Sequence, residues 1–169
     1  MNSRPGYGSL RAHRSSEPGA RYFLTLTTHA RATGLNSDSV AAELKRQITS
    51  LEADQSWIVH GAVIMPDHVH LLVSLGERLT LGQSIGRLKA KTTLALSRAG
   101  VRWQGNYFEH RLKTDDPAES VLHYIFLNPY RANLLKPSET YSWFWLGGTE
   151  AEWFRPQTNN DRPFPEWLR

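Results

Sequence analysis

The amino-acid sequence predicts an α+β fold with an antiparallel four-stranded sheet, and three observations lead to this class. Segments rich in β-branched and aromatic residues alternate with segments of helical apolar spacing, in the order β-α-β-β-α-β-α. A short turn joins the second strand to the third, so these two form a hairpin. A helix separates strand one from strand two and strand three from strand four. This is the ferredoxin-like (RRM-like) arrangement, with helices on one sheet face and the last helix near the other.

Each predicted element follows from local composition. The β-branched and aromatic content of residues 21–28 indicates the first strand, and Ser37 or Asp38 can cap the helix that follows. Pro66 removes a ladder donor, so it belongs to the hairpin turn and not to a strand. Gly100 can end the second helix. The expected strands are residues 21–28, 56–65, 67–75 and 105–113, and the expected helices lie near 38–53, 80–98 and 116–127.

The third helix has the clearest start in the chain. Asp116 stands at the cap, Pro117 in the first turn, and Glu119 three residues after the cap. The helix is predicted to be interrupted where Asn128 precedes Pro129, because the residue before a proline resists helical geometry. A short helical stretch and aromatic-rich loops are expected to follow.

Composition predicts one folded domain with two less regular ends. The chain has 169 residues, of which 40% are hydrophobic, enough for a single core. The predicted regions are a flexible basic arm over residues 1–20, the domain over residues 21–146 and a C-terminal tail over residues 147–169. The absence of cysteine excludes disulfides, thiolate metal sites and cysteine nucleophiles. No segment has the apolar length of a membrane span or a signal peptide, so we expect a cytoplasmic protein without a membrane partner.

Charge favours an anionic partner. The formal net charge is +4 and the isoelectric point about 9.6. Between Arg78 and Lys113 the chain carries eight cations against a single acid, Glu109. Such a run is either a solvated helix face or a surface that follows phosphates. The candidate nucleic-acid contacts in this run are Arg87, Lys89, Lys91, Arg102, Arg111 and Lys113.

Two histidines stand out in the third predicted strand. Residues 65–73 read Met-Pro-Asp-His-Val-His-Leu-Leu-Val. Because side chains alternate along a strand, His68 and His70 point to one face while Val69 points to the core. Two adjacent imidazoles are half of a metal site, although the same pair can also be plain polar residues on a solvated strand face.

Tyr124 and Asn128 are four residues apart and share a face of the third helix. A tyrosine there can simply anchor its hydroxyl in the core. Alternatively, its oxygen can attack phosphorus, and an asparagine oxygen can complete a metal site.

A third cluster lies on the predicted fourth strand. There Glu109, His110 and Arg111 follow the aromatic residues Tyr107 and Phe108. These are either polar surface residues at a strand edge or substrate contacts, in which the aromatic rings stack on unpaired bases and the arginine binds phosphate.

These motifs together resemble a known family. The segment 65–73 is similar to the His-hydrophobic-His motif of the single-tyrosine HUH transposases. Two further segments resemble their subgroup of REP-associated tyrosine transposases: Trp-Gln-Gly-Asn-Tyr-Phe-Glu-His-Arg (103–111) and Tyr-Ile-Phe-Leu-Asn-Pro-Tyr-Arg-Ala-Asn-Leu-Leu (124–135). The likeness covers about residues 20–145. This chain departs from the family pattern at Asp67, where many members carry asparagine, and in the residues around Phe126 and Tyr130.

The resemblance implies a role for each matching residue. His68 and His70 would be ligands of Mg²⁺ or Mn²⁺, Asn128 would help to hold the metal, and Tyr124 would be the nucleophile. The expected activity is that of a DNA transposase, an endonuclease and ligase that cuts and rejoins single-stranded DNA beside hairpins through a 5′-phosphotyrosine. The implied partner is single-stranded or hairpin DNA in the nucleoid, bound by a monomer or a homodimer.

Three alternatives stay open on sequence grounds. The chain could be a domesticated protein that binds repeat hairpins without cutting them. It could be a metal-dependent hydrolase of small phosphoesters, which would need neither Tyr124 nor the basic run. It could also be an RNA-binding sheet module, because sheets of this kind stack bases on aromatic side chains.

Overall fold

The computed structural model describes residues 16–169, so most of the predicted basic arm lies outside the described residues. The strands are β1 (Arg21–Thr27), β2 (Trp57–Ile64), β3 (His68–Leu75), β4 (Phe108–Arg111) and β5 (Phe144–Leu146). The helices are α1 (Asp38–Ala53), α2 (Leu81–Arg98), α3 (Ala118–Arg131) and α4 (Glu150–Phe154). Short 3₁₀ turns cover His29–Arg31, Arg155–Gln157 and Pro165–Leu168. No helix of this described range is long and apolar enough to cross a membrane.

The five strands form one antiparallel sheet in the order β4-β1-β3-β2-β5. The first four strands confirm the predicted α+β, ferredoxin-like arrangement, because β3 lies between β1 and β2 and β1 lies between β3 and β4. The fifth strand corrects the predicted count of four. It adds to the outer edge of β2, where Phe144 lies opposite Val63. A strand of three half-buried residues has too little alternation to be recognised in the sequence.

One face of the sheet carries the larger core, under α1 and α2. Alternate residues of β1 and β3 point into it and are buried, among them Leu24, Leu26, Val69, Leu71 and Val73. Full burial of such a side chain contributes about 1.5–3 kcal/mol relative to exposure. Helix α2 begins in a capping box, in which the Thr80 hydroxyl and the Gln83 side chain each accept a hydrogen bond from the other's backbone N–H.

Helix α3 packs on the opposite face. Its buried residues Leu122, Ile125 and Phe126 form a second core with Val63 and Leu72 of the sheet. Gly61 permits this close approach, since a Cβ there would lie 2.5 Å from Leu122 Cδ2. The two crossover helices and the third helix therefore lie on opposite sides of the sheet.

Both ends of α3 differ from the prediction. Its N-cap is Pro117, because the Asp116 carboxylate instead accepts hydrogen bonds from the Lys113 backbone N–H at 2.8 Å and from His110 Nε2 at 3.3 Å. The helix also continues through Asn128 and Pro129 to Arg131. An internal proline costs a helix about 3 kcal/mol. Pro129 is buried, as are its neighbours Leu127 and Tyr130 in the second core, so tertiary burial offsets this cost.

Residues 147–169, the C-terminal segment, lie against α3. Phe154 is fully buried, and its ring lies 5.0 Å from the ring of His123, while the ring of Trp167 approaches His123 at 4.7 Å. Both aromatic rings also contact Phe126. The segment therefore packs against the side of α3 that carries His123, the residue before Tyr124.

His60 joins the C-terminal segment to the sheet. It occupies an irregularity of β2, where its Nδ1–H donates to Glu150 Oε1 at 2.8 Å and its Nε2 accepts from the Ser74 hydroxyl at 2.6 Å. Burial lowers the pKa of His60 below 6.5, although the carboxylate of Glu150 opposes that shift. The neutral imidazole is thus part of the folded structure.

We expect acid to weaken the attachment of the C-terminal segment. The unfolded chain binds a proton at His60 near pH 6.5, more readily than the folded chain, so this stability is present above about pH 6.5 and lost below it. The other charged groups that act on His60 are Glu150, Arg21 and Glu52. Urea midpoints measured by tryptophan fluorescence should fall with pH in the wild type and fall less in His60→Asn. Equal pH dependence in the two proteins would contradict this assignment.

Candidate active site

The two histidines of β3 lie side by side on the sheet face that α3 partly covers. His68 is opposite Thr27 and His70 is opposite Thr25 in the antiparallel pairing with β1. The two imidazole rings are 4.5 Å apart between centroids. The intervening Val69 is fully buried in the core on the other face. Strand alternation thus produces the geometry that the sequence pattern predicted.

A carboxylate orients the His68 ring. The Nδ1–H of His68 donates to Asp67 Oδ1 at 2.7 Å, and the other oxygen of Asp67 accepts from Arg31 Nε at 2.8 Å. A carboxylate only accepts hydrogen bonds, so Nδ1 carries the proton, and in the neutral ring Nε2 presents a lone pair. Carboxylate–histidine pairs of this kind orient imidazoles that bind metals.

His70 is buried beneath its neighbours and is held by β1. Its Nδ1 lies 2.9 Å from Thr25 Oγ1. Burial lowers the pKa of His70 to about 3, and the nearby His68 lowers it further in the same direction. The ring is therefore neutral at physiological pH. With its Nδ1–H donated to Thr25, its Nε2 would also present a lone pair, which is the form of imidazole that binds a cation.

Helix α3 brings Tyr124 to the same place. The Tyr124 ring centroid lies 5.3 Å from that of His70 and 5.8 Å from that of Phe23 on β1. Tyr124 is 44% exposed, whereas its neighbours Ile125 and Phe126 are buried against the sheet. Two largely buried imidazoles and one accessible phenol, which are distant in the sequence, therefore converge at one place on this sheet face.

The donor set fits a divalent cation if a neutral oxygen completes it. No cluster of three or more histidine and carboxylate side chains able to hold a metal exists in residues 16–169. Asn128 lies one turn after Tyr124 on α3 and is half-buried, so its amide oxygen is the helix-borne candidate. Together with the two oriented imidazoles, such an oxygen would suit Mn²⁺ or Mg²⁺ with water in the remaining positions.

The structure divides the predicted DNA contacts between two regions. Arg87, Lys89 and Lys91 lie on α2, across the sheet from the histidines. Arg87 pairs with Asp54 at 3.0 Å, and Lys89 Nζ donates to the carbonyl oxygens of Gln104 and Asn106.

The other three predicted contacts lie on β4 or in the segments that flank it. All of them are exposed: Arg102, Arg111 and Lys113. Arg111 pairs with Glu17 at 2.5 Å. The cationic run of the sequence is therefore not one continuous surface around the candidate active site.

Three residues that support the site could not be recognised from the sequence: Phe23, Thr25 and Arg31. Thr25 and Phe23 reach the histidines only through the register between β1 and β3, which the sequence does not determine. Arg31 follows Ala30 in a turn where both residues have positive φ, at 57° and 53°. This uncommon backbone directs the Arg31 guanidinium to Asp67.

Comparisons with known proteins identify the family and the fold. The model of the family described as "Transposase IS200 like" matches residues 18–128. No curated protein sequence matches the chain.

Solved structures show the same fold. A REP-associated tyrosine transposase bound to a REP hairpin is 19% identical, with a TM-score of 0.70 over 93% of this chain and 92% of that one. The tRNA(His) guanylyltransferase of Saccharomyces cerevisiae is 7% identical, with a TM-score of 0.50 over 76% of this chain and 68% of that one. A candidate transposase of Deinococcus radiodurans is 20% identical over 79% and 97%, and its TM-score of 0.47 is too low to bear on the fold.

Proposed function

The chain belongs to the IS200-like transposase family, and from this premise we propose that it cleaves and rejoins single-stranded DNA beside hairpins, with Tyr124 as nucleophile. The observation that carries the proposal is the convergence of the exposed Tyr124 with the His68–His70 pair on one sheet face. A phenol can act as the nucleophile, and two imidazoles with an amide oxygen from the same helix as the phenol can hold a divalent ion.

His68, His70 and Asn128 are the residues that would hold a divalent ion, and such an ion would neutralise the charge that develops on the scissile phosphate. Asp67 and Thr25 would keep the two imidazoles in position through the Nδ1 contacts described above. Phe23 and His70 would position the Tyr124 ring, which they contact from the sheet. These contacts hold the phenol in place before the substrate arrives.

In the reaction, the Tyr124 oxygen attacks phosphorus in line with the 3′ oxygen. The new bond joins the phenolic oxygen to phosphorus, and the bond from phosphorus to the 3′ oxygen breaks. The phenol loses its proton and the departing 3′ oxygen gains one. The resulting 5′-phosphotyrosine retains the energy of the phosphodiester, so a second 3′-hydroxyl can reverse the step without ATP.

The proposed substrate rests on the accessibility of Tyr124 and on the hairpin that the solved relative binds. Tyr124 stands on a helix over an open part of the sheet, where an unpaired strand can reach it. The solved REP-associated transposase of the same fold is bound to a REP hairpin. We therefore assign this chain to the REP-associated subgroup, with a short palindromic hairpin and its single-stranded flank as ligand, bound in the nucleoid by a monomer or a homodimer.

The direct test is formation of a covalent adduct. A labelled hairpin oligonucleotide with single-stranded flanks is incubated with the full chain and Mn²⁺ or Mg²⁺, then analysed on a denaturing gel. We expect the fragment downstream of the cut to be linked to the protein through its 5′-phosphate, and the upstream fragment to be released with a free 3′-hydroxyl. Hairpin binding without an adduct under all metal conditions would instead identify the chain as a domesticated hairpin-binding protein. Release of free phosphate products only would indicate a phosphoesterase.

Asn128 provides a prediction about the cation. We expect Asn128→Ala to shift the Mn²⁺ midpoint of cleavage upward by at least about 10-fold, because it removes one oxygen donor. Asn128→Asp should keep a midpoint near that of the wild type, since a carboxylate also donates oxygen to Mn²⁺. Metal titrations of the three proteins measure this. An unchanged midpoint in Asn128→Ala would remove Asn128 from the proposed donor set.

Salt dependence can identify which cations contact phosphate. Each phosphate contact that is lost reduces the slope of log K against log salt by about 1. We expect this reduction for alanine substitutions of Arg102, Arg111 and Lys113, which are exposed on or near β4. We propose the same for Arg87, Lys89 and Lys91, and a reduction there would show that the hairpin backbone also reaches α2 on the far side of the sheet. Lys136→Ala, an exposed lysine beyond α3, is a matched control with an unchanged slope. A wild-type slope in all six variants would place the hairpin on another surface.

A further inference from the structure

The sheet face that carries the histidines is covered on one half only. Helix α3 packs over β2 and β3, where Val63 and Leu72 are buried. Toward β1 and β4 the same face remains accessible, because Phe23 and Thr25 are half-buried and Phe108 is exposed. Tyr124 stands at the boundary between the two halves, so the uncovered half begins directly at the proposed nucleophile.

Phe108 forms the outer end of an aromatic row on this uncovered half. It lies opposite Thr25, which in turn lies opposite His70, so two strand spacings, about 10 Å, separate Phe108 from His70. Its ring contacts Phe23 edge-on at 6.3 Å, and Phe23 contacts Tyr124 edge-on at 5.8 Å. A large aromatic side chain that is 57% exposed is thereby held in a defined position beside the site.

We infer that Phe108 stacks on the unpaired base of a nucleotide near the scissile phosphate, an inference that rests on the proposed function. The ring has three properties that such a contact requires: it is accessible, it is held by its neighbour Phe23, and it lies within about 10 Å of the metal-binding histidines. Lys113 follows two residues after the end of β4 and is exposed, so it adds positive charge near Phe108 for the backbone of the DNA strand. Phe108 would thus determine where along the flank Tyr124 cuts.

The test combines a protein change with a substrate change. A hairpin oligonucleotide is prepared with an abasic site at each flank position in turn, and its affinity is measured for the wild type and for Phe108→Ala. At one position the wild type should lose about 5- to 150-fold in affinity on loss of the base, the usual range for base–aromatic stacking. At that same position, removal of the base should not lower the affinity of Phe108→Ala further, because this variant lacks the ring on which the base would stack. Phe108→Trp should restore the dependence on the base.

A matched control uses Ile58, a strand residue that is exposed to the same 57% and lies away from β1 and β4. Ile58→Ala should behave as the wild type with every abasic substrate. Additive effects of Phe108→Ala and the abasic site at all positions would overturn the inference. So would a change in self-association instead of affinity, which would identify Phe108 as part of an interface between two copies. Absence of any single-stranded DNA binding by the wild type would instead refute the proposed function.

Discussion

Tyr124→Phe should abolish the covalent protein–DNA adduct and strand cleavage while hairpin binding remains within about twofold of the wild type. Loss of a nucleophile costs on the order of 10⁶-fold in rate, which places the reaction below detection on a gel. The phenyl ring keeps the edge contacts with Phe23 and His70, so neither the position of α3 nor the surface beside it should change. Denaturing gels measure the adduct, and mobility shifts measure binding.

Tyr107→Phe is the matched control for this experiment. Tyr107 is half-buried and precedes β4, next to a groove lined by α2 residues, away from the histidine pair. Its variant should form the adduct at the wild-type rate. If Tyr124→Phe still forms an adduct, another side chain is the nucleophile. If it loses binding together with cleavage, Tyr124 acts in recognition as well as chemistry.

His68→Ala should remove metal-dependent cleavage and weaken Mn²⁺ binding by more than about 100-fold. Loss of a hydrogen-bond partner of a metal ligand alone typically costs 10- to 100-fold in affinity, and removal of a ligand costs more. The half-buried ring of His68 makes this substitution less disruptive to packing than replacement of the buried His70. Calorimetric titration with Mn²⁺ measures affinity independently of cleavage.

His110→Ala is the control, because His110 is an exposed imidazole on the same sheet face whose side chain pairs with Asp116. It should bind Mn²⁺ and cleave DNA as the wild type does. Undiminished cleavage by His68→Ala in the presence of a chelator would exclude a metal role for the pair. Retained Mn²⁺ affinity with lost cleavage would instead assign His68 to substrate contact.

The order of elements and the orientation of the histidine pair were predictable because both depend on local patterns. Strand alternation alone places His68 and His70 on one face and Val69 on the other, and helical spacing alone places Asn128 beside Tyr124. The ends of α3 were not predictable in this way. Asp116 has hydrogen-bond partners other than the helix, and Pro129 remains helical because it is buried.

The sequence by itself therefore determined the fold class, the pair of imidazoles and the identity of the candidate nucleophile. Only the tertiary structure decided that Tyr124 meets His70, that Thr25 and Asp67 orient the two rings, and that the cations of α2 lie on the far side of the sheet. The physical reason is that these relations depend on strand register and on the face to which a helix packs. Both are set by the burial of many side chains together and not by any one segment.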